Sequence, residues 1–504
     1  MSTTSDLAPG TREEALRALR TSDAEARRLV VRALGSAPSD AAVGVLRDVL
    51  GDEDWRVRKE AIQLAHALGD HRDVVPLLVE ALRAPAEEVA LRNAAVEALA
   101  GLGATAVEAV EAALHQNSDA PFDADGRKLA IEVLAAARQV RSLKVVVRAT
   151  DDPDANVRAA AAEAIGIIGG EDAASALLSI LDREERLLRL IALEGLNRLG
   201  APVPLARLAP LLSDRILRHA AMAALARTGD PDAFEPLIDA ASDPSRHVAE
   251  TAMRAFASLH RVTQPGAGAA RALAAIHERG RERLRSAALS GEVAVRRGAV
   301  AILAAVGDDA AIATLVDVLA DDELAEDAEQ ALVALGARAL PTLLTASQRG
   351  ELGARTAAIR LLPRFARSDA SLGALRIALA DPTAEVVAAA ASAFTLAIAS
   401  GATPTEADVR ELLRAAARRE PKVAATALQS LRSLARRRPE VVRPHLVDME
   451  TGEGEAPIAC ALLAIVGGTE HVAWLSRAVS AESPRTRRAA VEALGQIGGA
   501  AAAR

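Results

Sequence analysis

One pattern of thirteen residues recurs fifteen times along this chain of 504 residues, and no other feature constrains the fold as strongly. Its clearest copy runs Val157-Arg158-x-x-Ala161-x-x-Ala164-Ile165-Gly166-x-Ile168-Gly169. Copies begin at Ala26, Val57, Leu91, Gly126, Val157, Leu188, Leu217, Val248, Val295, Leu324, Ala354, Val386, Val423, Ala456 and Thr486. The mean interval is about 33 residues, in the range of helical solenoids. With the first residue as position 0, positions 0, 4, 7, 8 and 11 share a stripe about 100° wide on a helix. Position 4 is Ala in thirteen copies and position 8 is Leu, Ile or Phe in thirteen. A small residue beside a large one on the buried stripe predicts close, interlocking helix crossings. Gly at position 12, as in Gly69, Gly103, Gly169, Gly200, Gly229 and Gly307, is expected to end each helix in the left-handed conformation.

A second, shorter apolar helix follows each copy, as in Val74 to Leu82 and Asp172 to Leu181. Acidic turns come next, such as Asp52 to Asp54 and Asp151 to Asp154, whose carboxylates suit the N-terminus of the following helix. The repeating unit is thus a helix hairpin, and neither helix can bury its stripe alone. With no Tyr, two Trp and five Phe, the composition favours an all-α chain over a sheet.

Position 1 is Arg in ten copies: Arg27, Arg58, Arg92, Arg127, Arg158, Arg189, Arg218, Arg296, Arg355 and Arg487. Asp52 precedes Arg58 and Asp152 precedes Arg158 by the same six residues. The expected role is a structural ladder bridging acids and turn carbonyls of neighbouring repeats; a line of anion-binding side chains is the alternative. The Asp-x-x-x-x-Val-Arg-x-x-Ala-x-x-Ala-Leu-Gly pattern resembles the HEAT repeats, most closely the bacterial subclass related to phycobilisome lyases. The resemblance runs from about residue 11 to Gly499. It implies a right-handed α-solenoid of about 15 stacked hairpins, an armadillo-like helical superhelix with the Val-Arg helices on its concave face. The Arg is missing at Ala249, Ala325, Val387, Ala424 and Pro457, so the ladder should weaken towards the C-terminus.

Irregular spacing suggests the domain plan. The widest interval, from Val248 to Val295, contains the loop signature Val262-Thr-Gln-Pro-Gly-Ala-Gly268. The expected organisation is a disordered N-terminus over 1–10 and an N-terminal array over 11–260. A hinge insertion with a basic helix follows over 261–290, then a C-terminal array over 291–499 and a tail over 500–504.

A net charge of −8 and scarce aromatic rings disfavour general nucleic-acid binding, which needs phosphate neutralisation and stacking. Two basic clusters nonetheless stand out: Arg279, Arg281, Arg283 and Arg285, and the stretch Arg418, Arg419, Lys422, Arg432, Arg436, Arg437, Arg438 and Arg443. A single cysteine and the absence of a secretory pattern at the start fit a cytoplasmic protein, and no apolar run is long enough for membrane insertion. Position 6 points away from the buried stripe, and there Glu97, Glu132, Glu163 and Glu194 form an acidic file across four successive repeats. Such a row suits either solubility or a basic partner. In the copy starting at Ala456 the corresponding outward residues are Ile458, Leu462 and Ile465, expected to offer a contact for a partner or a second copy.

Catalytic and cofactor motifs are not found. Only one His-Glu pair, His277-Glu278, is present, too few for a di-iron site of the deoxyhypusine hydroxylase type. Cys460 falls at the packed position 4. The expected function is a non-enzymatic protein-interaction scaffold or adaptor without a cofactor, in bacterial signalling or complex assembly. The alternatives are a lyase-like or accessory protein binding a small molecule, and a nucleic-acid binder working through its Arg clusters.

Overall fold

The computed structural model describes residues 9–21, 23–115, 121–365, 369–447 and 455–498. The expected N-terminal tail (except residues 9 and 10) and the tail 500–504 lie outside the described residues. Among these, the chain is all-helical and contains no strand. Each of the fifteen pattern copies forms one helix, here numbered in chain order. The first seven are α1 Ala24–Leu34, α2 Trp55–Ala67, α3 Val89–Gly101, α4 Ala124–Ala137, α5 Ala155–Ile168, α6 Arg186–Leu199 and α7 Arg218–Leu225. The remaining eight are α8 Arg246–His260, α9 Val293–Val306, α10 Ala325–Leu335, α11 Leu352–Leu361, α12 Ala384–Ala399, α13 Pro421–Arg437, α14 Ala456–Val466 and α15 Pro484–Ile497. Shorter helices such as Ser39–Leu50, Val74–Ala81 and Glu171–Ile180 lie between them in sequence.

The chain divides into two compact units, Met1–Ala233 and Phe234–Arg504. Within each, the Val-Arg helices stack on one another as one layer and the intervening helices form a second, the arrangement of an α-solenoid. The stripe seen in the sequence is the core. Ala61, Ala95, Ala130, Ala161, Ala192 and Ala221 at position 4 have no exposed surface, and Leu99, Leu134, Ile165 and Leu196 at position 8 are equally buried. Ala at the crossing lets helix backbones approach, and the large neighbour fills the space beside it. Gly200 and Gly307 end α6 and α9 with φ of 68° and 57°, as expected, whereas Gly69 does not adopt a positive φ. The chain leaves α2 through Leu68, whose N–H still bonds back to Leu64, so no left-handed residue is needed there.

The long interval before Val295 is itself helical. It folds as Ala267–Ala275 and Glu278–Leu289. The first packs on Phe234–Ala241 and the second on α9, so this segment is built into the second unit.

Candidate interaction site

Nine of the ten Arg side chains at position 1 bond to the connections between repeats. Arg127 grips Asp152 with two parallel bonds, Nε to Oδ2 at 2.8 Å and Nη2 to Oδ1 at 2.9 Å. The same Asp152 takes the Asp154 N–H at 2.9 Å, while its backbone carbonyl accepts from Arg158 at 2.7 Å. Asp52 repeats this arrangement. Its carboxylate is held by Arg27 at 2.8 and 2.9 Å, and its carbonyl accepts from Arg58 at 2.7 Å. The six-residue spacing in the sequence therefore marks a carbonyl contact, and the ion pair runs from the preceding repeat.

Arg92 bonds the Ala84 carbonyl and Asp123, and Arg158 reaches Glu185. Arg189 takes the Glu184 carbonyl and Arg487 those of Ala481 and Glu482. Arg296 pairs with Asp321 and Glu323, Arg355 pairs with Asp381, and Arg218 is also engaged. Paired, two-pronged bonds of this kind set the register of one hairpin on the next.

Burial alone would raise the Asp152 pKa. The Arg127 hydrogen bond and the Asp154 N–H outweigh it and hold the carboxyl below its ordinary value. The folded state thus binds this proton less tightly than the unfolded chain, so the stabilisation is complete above the ordinary carboxylate range and is lost as pH falls through and below it. Asp152→Asn is expected to cost about 1.5–3 kcal/mol at pH 7. The gap from wild type should narrow as the medium is acidified towards pH ~3, which thermal melts across pH would show. A gap independent of pH would mean that the carboxylate charge contributes nothing.

On the opposite face of the same helices, Glu97, Glu163 and Glu194 are exposed and Glu132 is half-exposed, paired with Lys128 at 3.4 Å. Between α4, α5 and α6 this face holds an open groove of about 620 Å³. Ala159, Ala160, Ile167 and Ile191 form its apolar lining, with Glu132 and Glu163 among its polar residues. Sequence reasoning missed Trp55, which is 62% exposed at the first turn of α2 beside Arg28, Arg56 and Lys59. It lies outside the recurring stripe, and only an angular count from position 0 would have shown that it points outward.

The expected outward row on α14 is corrected. Ile458 is 5% exposed and Leu462 has no exposed surface; of the three, Ile465 alone is half-exposed. α14 packs on both α13 and α15, and the positions that face outward in other repeats are buried here. Ile458 and Leu462 are core residues and are not available to a partner.

The first basic cluster is largely internal. Arg281 pairs with Asp308 at 2.5 Å, Arg283 donates to the carbonyls of Ser242 and Asp243 at 2.7 Å, and Arg285 pairs with Glu278 at 2.8 Å. His277 caps its own helix through the Gly280 N–H at 2.8 Å. No group of three or more potential metal ligands occurs among the described residues. Burial raises the thiol pKa of Cys460 to about 11, so the side chain is a protonated core group at neutral pH. No helix among the described residues is long and apolar enough to cross a membrane.

Two family models match this chain. HEAT repeats match residues 13–100 and 111–197, and the PBS lyase HEAT-like repeat matches 217–243 and 295–321. The chain is a HEAT-repeat protein. Its first unit carries the HEAT-repeat matches; of the two phycobilisome-lyase-type matches, one runs across the division at residues 233 and 234 and the other lies in the second unit. No match is found among curated protein sequences.

Among solved structures, this HEAT-repeat chain is similar to Kap95p studied with RanGDP, at 14% identity over 96% of this chain and 73% of that one, TM-score 0.42. It is also similar to importin beta in an ammonium sulfate condition, at 14% identity over 96% and 72%, TM-score 0.37. The karyopherin Kap121p bound to the extreme C-terminus of the phosphatase Cdc14p matches at 12% identity over 96% and 71%, TM-score 0.37. Likeness of this degree says nothing about what the present chain binds.

Proposed function

We propose that this HEAT-repeat protein is a non-enzymatic interaction scaffold of the bacterial cytoplasm, and that the Val-Arg layer of its first unit holds a basic protein segment. The observation that carries the reading is the acidic file itself. Four carboxylates recur at one helical position on α3, α4, α5 and α6, and two of them, Glu132 and Glu163, line a partly apolar groove. Adjacent helices lie about 8–10 Å apart, so the file offers one carboxylate at each such step. A polyproline-type segment rises about 3.1 Å per residue with three residues per turn, so a basic residue at every third position meets every step. The groove lining would take the aliphatic stems of those residues.

The probe is a labelled twelve-residue peptide with Lys at every third position. Four pairs at about 0.2–1 kcal/mol each sum to about 0.8–4 kcal/mol, a roughly fourfold to several-hundredfold loss of affinity in the variant Glu97→Gln/Glu132→Gln/Glu163→Gln/Glu194→Gln. Fluorescence anisotropy at low salt reads this loss. Equal binding by the variant, or no preference over a peptide with the same lysines clustered, would refute the reading.

A further inference from the structure

The second basic cluster sorts into two classes once the chain is folded. Arg418 donates to the Asp381 carbonyl at 3.0 Å, Arg437 to those of Ile398 and Ala399 at 3.4 Å, and Arg443 to that of Val466 at 3.0 Å. Arg438 pairs with Glu440. Arg418, Arg437 and Arg443 tie neighbouring hairpins together as the ladder Arg residues do elsewhere, in the repeats where Val387, Ala424 and Pro457 replace the ladder Arg, and Arg438 is held locally.

The other four behave differently. Arg419, Lys422, Arg432 and Arg436 are exposed and have no ion-pair partner among the described residues. Lys422, Arg432 and Arg436 lie within about 80° of one another on α13, at 100° per residue. Ala425 and Gln429 complete that face of α13, which itself carries no acid; at its N-terminal end Lys422 shares an open groove with Glu385 of α12 and with Glu420. In a chain of net charge −8, three unpaired cations on one stripe form a local reversal of sign.

Apolar residues flank the stripe. α13 packs between α12 and α14. The hydroxyls of Thr395 on α12 and Ser430 on α13 meet at 2.5 Å, which sets the register of the pair. By repeat position Arg432 corresponds to Thr395 on α12, and the next residue there, Leu396, is 54% exposed. On α14 the equivalent of Arg432 is Ile465, half-exposed. The surface therefore offers cations in the middle and an apolar side chain on each side.

We infer that this face of α12, α13 and α14 docks an acidic amphipathic protein segment, its carboxylates on Lys422, Arg432 and Arg436 and its apolar side chains on Leu396 and Ile465. Charge complementarity selects an anion, and the flanking Leu and Ile select a protein over nucleic acid. A phosphate backbone has nothing to place on them, and the face presents no aromatic ring for a base to stack on. The site is independent of the acidic file on the first unit and takes a partner of opposite charge.

Anisotropy of a labelled fifteen-residue helical peptide of Glu and Leu, against a labelled twenty-base-pair duplex, tests this with the full chain. The peptide is expected to bind at low salt and weaken as salt rises. Arg432→Glu/Arg436→Glu should lower its affinity at least tenfold and Leu396→Ser severalfold, with circular dichroism and melting unchanged. The four-fold Glu→Gln variant of the acidic file should bind this peptide as wild type does, so the two surfaces fail or hold separately. Lack of peptide binding overturns the inference. So does charge reversal without effect, or a duplex that binds more tightly than the peptide with no response to Leu396→Ser.

Discussion

Gly298→Ala is expected to destabilise the second unit by about 3 kcal/mol, the upper range of overpacking in a filled core. Gly298 lies where α9 packs tightly against the backbone of α8. A Cβ added there would meet the backbone carbonyl oxygen of Met253 at 1.9 Å and its carbon at 2.5 Å. Neither atom can swing aside as a side-chain tip can, so the two helices must separate. Intrinsic propensity acts the other way, since Ala in a helix interior is favoured over Gly by about 0.5–1 kcal/mol. The contact wins because separation would loosen Ala252, Met253, Phe256 and Leu303, all buried around this crossing. Gly495 on α15 is the control. Nothing lies within 4 Å of its added Cβ, so Gly495→Ala should raise stability slightly. Thermal unfolding followed by circular dichroism distinguishes the two, and an unchanged melting temperature for Gly298→Ala would contradict the assigned crossing.

Leu462→Asp should cost on the order of 4–5 kcal/mol and unfold the last repeats first. The side chain has no exposed surface, and Ile458, Ala459 and Leu463 on the same helix are buried as well. A carboxyl there has no water and would keep its proton, raising its pKa in the folded state. The folded form then holds the proton more tightly than the unfolded form, so the damage grows as pH rises through the ordinary carboxylate range and beyond. Ile465→Asp on the same helix is half-exposed and should cost far less. If Leu462→Asp melted like wild type at pH 8, residue 462 would face solvent and the outward row expected from the pattern would be restored.

The repeat period, the Ala and Leu stripe and the Arg at position 1 were legible in the sequence because each is set by local helix geometry. Ala161 and Ile165 must share a face wherever their helix packs, and Gly200 must end α6 where a left-handed residue is needed. The acidic file was legible for the same reason. Glu97 and Glu163 lie opposite the buried stripe of their own helices, so they stay exposed while the neighbouring helices leave that side open.

Tertiary structure decided everything that depends on what stands beside a helix. Asp52 could have answered Arg58, six residues away, or Arg27 in the preceding repeat; stacking gave the carboxylate to Arg27 and left Arg58 the carbonyl. Ile458 and Leu462 occupy outward positions of the pattern, yet both are buried in the packed chain. Eight basic residues between 418 and 443 read alike in the sequence, and only the fold separates those within reach of a carbonyl or carboxylate from those on an open stripe. A helical period dictates an angle on one helix. Burial and charge pairing depend on distances between helices, and those are properties of the packed chain.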